Sequence, residues 1–174
     1  GSDARVNFNQ PSASSVTLNR VVGGDPSHIM GRINAPGQVF ISNASGVIFG
    51  AKSQVDVGGL LVTTLGISNE DFMAGRYTLV RDGASGSIVN DGQLQASLSG
   101  YIALLAPEVR NEGIIRARLG AVVLAAALPA DAAFLDAFRH RIEAQHGWQF
   151  DTAWASDAER AAIADALSET TVTR

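Results

Sequence analysis

Val89-Asn90-Asp91-Gly92-Gln93-Leu94-Gln95-Ala96 is answered further along the chain by Arg110-Asn111-Glu112-Gly113-Ile114-Ile115-Arg116-Ala117, a step of 21 residues from Asn90 to Asn111. Gly100-Tyr101-Ile102-Ala103-Leu104-Leu105-Ala106 is answered in the same way by Gly120-Ala121-Val122-Val123-Leu124-Ala125-Ala126, at a step of 20 residues. A looser echo runs through Gly37-Gln38-Val39-Phe40-Ile41 and Gly46-Val47-Ile48-Phe49-Gly50. A repeat of this size, holding an Asn-x-Gly turn and two short strands, corresponds to one coil of a β-solenoid. A single coil cannot bury its inner face; stacking coils makes the core continuous. The pattern therefore predicts Leu94, Ile102, Leu104, Ile115, Val122 and Leu124 facing inward, with Asn90, Gly92, Asn111 and Gly113 at structural turns. Glycine supplies positive φ at such corners, and asparagine can ladder its amide onto the coil above.

Working outward, short alternating apolar runs recur at Val6–Phe8, Val16–Leu18, Val39–Ile41, Val47–Phe49, Val55–Val57, Leu60–Val62, Tyr77–Leu79, Leu94–Ala96, Ile102–Leu104, Ile114–Ile115 and Val122–Leu124. Gly, Asn and Asp punctuate them, which reads as many short strands and an all-β fold. Gly58-Gly59 fits a tight corner between two of these strands. A β-sandwich is the competing architecture, but it would use more aromatics and longer strands than a chain with 6% Phe, Trp and Tyr.

The 174 residues are 46% hydrophobic and 17% charged, enough for a real core and too apolar for a wholly disordered chain. A formal net charge of −4 excludes a strongly cationic nucleic-acid surface, so no nucleic-acid partner is expected. The absence of cysteine excludes disulfides, thiolate chemistry and cysteine-ligated metal. The longest apolar stretch, Leu119 to Ala130, falls short of the ~18 residues a membrane-spanning helix needs.

Composition divides the chain. Gly1-Ser2 reads as a cloning scar, with the native N-terminus and its targeting information missing; residues 3–128 form the β portion and residues 129–174 a helical appendage. In that appendage Pro129-Ala130-Asp131 opens a first short helix with Phe134, Phe138 and Ile142 along one stripe, ended by Gly147. Ser156-Asp157-Ala158-Glu159 caps a second, with Ala162, Ile163, Ala166 and Leu167 on its apolar face. This helical tail, with Trp148, Phe150 and Trp154, is expected to fold back over the C-terminal end or flank of the solenoid.

No catalytic constellation emerges. His140 and His146 lie on different faces of a helix, and Asp25 with His28 lack a third ligand, so no metal or cofactor is expected. Glu70-Asp71 and Asp82 could serve glycoside hydrolysis in principle. Ser68-Asn69-Glu70-Asp71 reads better as a capped helical turn. No serine stands in a nucleophile-elbow setting, and Gly23-Gly24 and Gly58-Gly59 lack the following Lys-Ser/Thr of a phosphate loop. The chain is not expected to be an enzyme.

Asn43-Ala44-Ser45-Gly46-Val47-Ile48-Phe49-Gly50 is followed by Gln54-Val55-Asp56-Val57-Gly58-Gly59-Leu60, then Thr63-Thr64-Leu65-Gly66-Ile67-Ser68 and Asp71-Phe72-Met73-Ala74-Gly75. This order resembles the N-terminal secretion (TPS) domain of two-partner secretion exoproteins, the filamentous haemagglutinin family. Val6-Asn7-Phe8-Asn9-Gln10-Pro11 and Leu18-Asn19-Arg20-Val21 upstream continue the likeness, as does Gly37-Gln38-Val39-Phe40-Ile41. Downstream, Gly100-Tyr101-Ile102-Ala103-Leu104-Leu105 and Gly113-Ile114-Ile115 extend it, so that it spans residues 4 to about 126. The family's Asn-Pro-Asn-Gly turn stands here as Asn43-Ala44-Ser45-Gly46, without its proline. The family's preceding residues and first-coil cap are absent, and the tail from Pro129 has no counterpart. These departures are consistent with a fragment, a short relative or an engineered fusion.

The resemblance implies a right-handed parallel β-helix that serves as the secretion-targeting module of a large adhesin, haemagglutinin, cytolysin or contact-dependent toxin. It further implies export through the periplasm of a Gram-negative bacterium to the cell surface or medium, and virulence roles for the whole exoprotein. Its partner would be the outer-membrane transporter, with Asn43, Ala44, Ser45 and Gly46 as the recognition turn. A host-cell or carbohydrate receptor, and self-association through the uncapped end, are the further partners it suggests. The alternative is a β-helical carbohydrate-binding or carbohydrate-active protein; an enzyme of that kind would carry clustered acids on one outward row, and the sequence shows none.

Overall fold

The computed structural model describes residues 1–80 and 85–126, the last two by backbone alone; the helical tail expected at residues 129–174 lies outside the described residues, as do Asp82, His140 and His146. By contacts the described residues fall into two units, the first within Gly1–Gly66 and Val80–Ala126, the second including Ile67–Leu79.

The first unit is all-β. A first pass lays down β1 (Arg5–Asn7), β2 (Val16–Val21) and β3 (Ser27–Ile29), and a second β4 (Arg32–Asn43) and β5 (Val47–Phe49). The third begins with β6 (Gln54–Thr63). It is interrupted by β7 (Gly66–Ile67), helix α1 (Asn69–Met73) and β8 (Leu79–Val80), then resumes at β9 (Ser87–Asn90). A fourth comprises β10 (Gln93–Ala96), β11 (Tyr101–Ala106) and β12 (Glu108–Asn111), and a fifth begins with β13 (Ile114–Ala117) and β14 (Ala121–Ala126).

Every pairing in the two large sheets is parallel. The strands stack in three columns. The first holds β1, the start of β4, the start of β6, β10 and β13. The second holds β2, the end of β4, the end of β6, β11 and β14. The third holds β3, β5, β9 and β12. Successive passes visit the columns in the same order, and the repeat read from the sequence is their register: Asn90 faces Asn111, Leu94 faces Ile115, and Tyr101 faces Ala121.

One core runs through the stack. Ile33, Val55 and Leu94 enter it from the first column, Val39, Leu60 and Ile102 from the second, Val47 and Ile88 from the third. Leu94, Ile102 and Leu104 are buried as expected, and Ile115 is partly buried against the same core. Val122 and Leu124 depart from expectation: they register on Ile102 and Leu104, yet each is 45% exposed. Among the described residues their strand pairs only with β11, so the stacking described for the lower residues acts on them from a single side.

Two further expectations give way. Gly58-Gly59 does not separate two strands: both glycines lie inside β6, which continues unbroken from the first column to the second, while its register against β4 shifts between Ala35 and Gln38. The approach is close, since a Cβ on Gly58 would stand 2.7 Å from the carbonyl oxygens of Pro36 and Gly37. The echo of Gly37–Ile41 in Gly46–Gly50 is not a repeat between passes. It compares strands β4 and β5 of one pass, in different columns.

Candidate functional site

The turn Asn43-Ala44-Ser45-Gly46 joins the second column to the third. The Gly46 N–H donates to the Asn43 carbonyl at 3.0 Å, closing the turn, and the Ser45 N–H donates to Asn43 Oδ1 at 2.9 Å. Such an Asx contact lets an asparagine side chain take over part of a backbone turn. The amide's other end is occupied too: Asn43 Nδ2 donates to the Asp25 carbonyl at 3.1 Å and to Ser27 Oγ at 2.8 Å, one pass earlier. Asn43 is thus completely buried with its polar atoms satisfied. Gly46 has φ +109°, a region that suits glycine, and a Cβ there would lie 2.5 Å from the Ser87 carbonyl oxygen. Of the four residues, Asn43 and Gly46 are buried, Ser45 is half-buried and Ala44 is exposed.

The turns from the third column to the first use the same device. Asn90, fully buried at the end of β9, donates from Nδ2 to Asn111 Oδ1 at 2.7 Å and accepts the Gly92 N–H on Oδ1 at 3.1 Å. This is the amide ladder expected from the sequence. Gly92 and Gly113 are needed for close approach: a Cβ on Gly92 would collide with Ser53 Oγ, and one on Gly113 with the Gly92 carbonyl oxygen.

A third polar assembly, at the corner from the first column to the second, went unread in the sequence. Gln10 Oε1 accepts the Gly37 N–H at 2.8 Å, and its Nε2 donates to the Gln38 carbonyl at 2.8 Å and to Thr17 Oγ1 at 2.9 Å. Tyr101 Oη, buried two passes on, donates to Gln38 Oε1 at 2.9 Å. Gly59 makes the room, because a Cβ there would stand 2.7 Å from the Tyr101 ring. The only signal was Gln38 and Tyr101 standing next to apolar runs; Gln10 lies in a polar stretch, and the separations of 28 and 63 residues are too long for any local rule.

Of the titratable residues singled out earlier, Asp25, His28, Glu70 and Asp71 lie among the described residues. The Asp25 carbonyl supports Asn43, and the His28 side chain is exposed on β3. In the second unit Ser68 caps α1, accepting the Asp71 N–H at 3.0 Å and donating its hydroxyl to Asp71 Oδ2 at 2.9 Å. Arg76 Nε reaches Asp71 Oδ1 at 3.0 Å. The Ser68 hydroxyl first, and Arg76 second, hold the Asp71 carboxyl below its ordinary value. The Phe72 and Tyr77 rings lie 5.9 Å apart, and burial pushes the Tyr77 phenol up. Among the described residues no group of three or more His, Asp or Glu stands together to hold a metal ion.

A stack of parallel strands with asparagine-held corners is a geometry that can be compared with known proteins. The family model described as the TPS secretion domain matches residues 1–156, most of the chain and past the point where the likeness read from the sequence stops. The chain belongs to the TPS secretion domain family. Two relatives, each named heme/hemopexin-binding protein and from Haemophilus influenzae, are 34% identical over 123 residues and 33% identical over 92 residues. The first alignment covers 67% of this chain and 14% of the relative; the second covers 53% and 10%. The crystal structure of the HMW1 secretion domain from Haemophilus influenzae superposes with a TM-score of 0.66 at 31% identity, covering 70% of this chain and 33% of that one. This TPS domain therefore has the make-up of an exoprotein secretion domain, and spans a small part of the length of the relatives it matches.

Proposed function

We propose that this TPS domain is the targeting module of a large exoprotein, bound in the periplasm of a Gram-negative bacterium by the periplasmic domains of its outer-membrane transporter and delivered outside the cell. The observation that carries the reading is the family match over residues 1–156. The parallel columns support the right-handed β-helix that this family membership implies, in which each pass would be one coil. The exoprotein it serves is an adhesive or ligand-capturing surface protein; two relatives carry heme/hemopexin-binding in their names. The module itself is not an enzyme and holds no cofactor.

The turn at residues 43–46 acts before the stack closes. Asn43 and Gly46 are buried once folded, so a transporter can touch their side chain and backbone only in the unfolded, exported chain. A cysteine-free solenoid suits that route: no disulfide locks it, and stacking propagates pass by pass once one layer has formed. The test is co-expression with the cognate transporter in a Gram-negative host, measuring protein in the medium. The parent chain should be exported, and Asn43→Ala should leave most of it in the periplasm. Retention of the parent with its transporter present, or undiminished export of Asn43→Ala, would overturn the reading.

A further inference from the structure

The outward face of the first column carries a polar grid that nothing among the described residues uses. Gln54, Gln93 and Ile114 stand in register on three successive strands, and Asp56, Gln95 and Arg116 stand in register two residues further along. All six are exposed, whereas Val55, Val57, Leu94 and Ala96 between them are buried. Together they line a groove of about 170 Å³. Strands in a parallel sheet lie ~4.8 Å apart, so the groups recur at a fixed step across the face.

This grid differs from the amide rows elsewhere. Asn34 Nδ2 donates to Asn7 Oδ1 at 2.9 Å on the same column, and Asn90 to Asn111 at 2.7 Å on the third. The layer spacing thus allows stacked amides to satisfy each other. Among the described residues, the side chains of Gln54, Asp56, Gln93, Gln95 and Arg116 make no hydrogen bond or ion pair, although Gln54 faces Gln93 and Asp56 faces Gln95 in register.

We propose that this groove binds a neutral saccharide chain. Each carboxamide offers a donor and an acceptor, the carboxylate two acceptors and the guanidinium a fork of donors, a mixture that matches vicinal hydroxyls, which both donate and accept. Ile114, 44% exposed, supplies an apolar contact for the C–H face of a sugar ring. The competing occupants fit poorly. Arg116 is the groove's one cation and Asp56 offsets it, so a polyanion gains little there. An extended peptide would need a free strand edge; of the groove's strands only β13, at its margin, offers one among the described residues, while β10, which carries Gln93 and Gln95 at the centre, is paired on both sides.

The experiment is titration of the chain with maltohexaose, cellohexaose and mannohexaose, followed by amide chemical shifts. At least one should move the amides of residues 54–56, 93–95 and 114–116 in the millimolar range. The double variant Asp56→Ala with Gln95→Ala should bind at least about tenfold more weakly. Arg110→Ala, on the third column, should bind like the parent, and circular dichroism should show all variants folded. Silence from all three sugars, or a double variant that binds like the parent, overturns the proposal.

Discussion

The first and second columns share two strands, β4 and β6, yet their surfaces are opposite in kind. In the first, burial alternates strictly: Gln93 and Gln95 are exposed while Leu94 and Ala96 are buried. In the second, all six residues of β11 are buried, so Leu105 is as inaccessible as Leu104. Phe40 and Leu61 repeat this on the neighbouring strands. Alternation is the mark of a sheet with one wet face, and a continuous apolar run that of a parallel sheet covered on both. In β4 and β6 a single unbroken strand runs from one column into the next and switches between these regimes within a few residues.

The strongest way to break the comparison is Ile102→Asp, which places an unpaired carboxylate where the core of all three columns meets. A loss of several kcal/mol is expected, enough to abolish the cooperative melt by circular dichroism. A parent-like melt would mean that the second column does not anchor the core.

A direct contrast comes from outward positions on adjacent columns. Leu105→Ala should cost about 2–5 kcal/mol in urea unfolding, whereas Gln95→Ala should stay within about 0.5 kcal/mol of the parent. Equal midpoints for the two variants would erase the distinction between a covered and a wet face.

Corners should be next in sensitivity. Gly46→Val puts a β-branched side chain at φ +109° and against the Ser87 carbonyl. The expected destabilisation is about 1–3 kcal/mol, read as a lower denaturant midpoint. An unchanged midpoint would show that the corner between the second and third columns yields at no cost.

The smallest effect lies outside both columns, at α1. The lowered Asp71 pKa means that its contacts with Ser68 and Arg76 contribute fully above its ordinary value near 3.8 and are lost as pH falls through the lower folded value. Protection of the amides of residues 69–73, taken relative to the intrinsic exchange rate at each pH, should fall over that acid range and lose this dependence in Asp71→Asn. An acid response of equal size in Asp71→Asn would remove the carboxylate from the account.

Much of the stack was legible because each pass must meet the same inward requirement. The step from Asn90 to Asn111 is a register pair, and Leu94, Ile102 and Leu104 are inward. The third column was mostly missed. Ser27–Ile29, Ser87–Asn90 and Glu108–Asn111 are too short and polar to make an apolar run, and neighbours above and below make them strands. At the candidate site, the Asn43-Ala44-Ser45-Gly46 turn was readable as a motif, but the burial of Asn43 was not. That burial depends on Asp25 and Ser27, supplied from one pass earlier.

The sequence by itself determined the all-β character, the repeat that sets register, and the Asn and Gly corners, because these follow from local spacing and backbone allowance. The tertiary structure decided exposure. Leu105 is buried and Val122 and Leu124 stand open, although alternation alone would assign them the other way round. It also joined Gln10, Gln38 and Tyr101 into one network across passes. The physical reason is the same in each case. A side chain's own neighbours along the strand fix which way it points, while burial depends on what lies across the sheet and on the layer above, and those groups come from elsewhere in the chain.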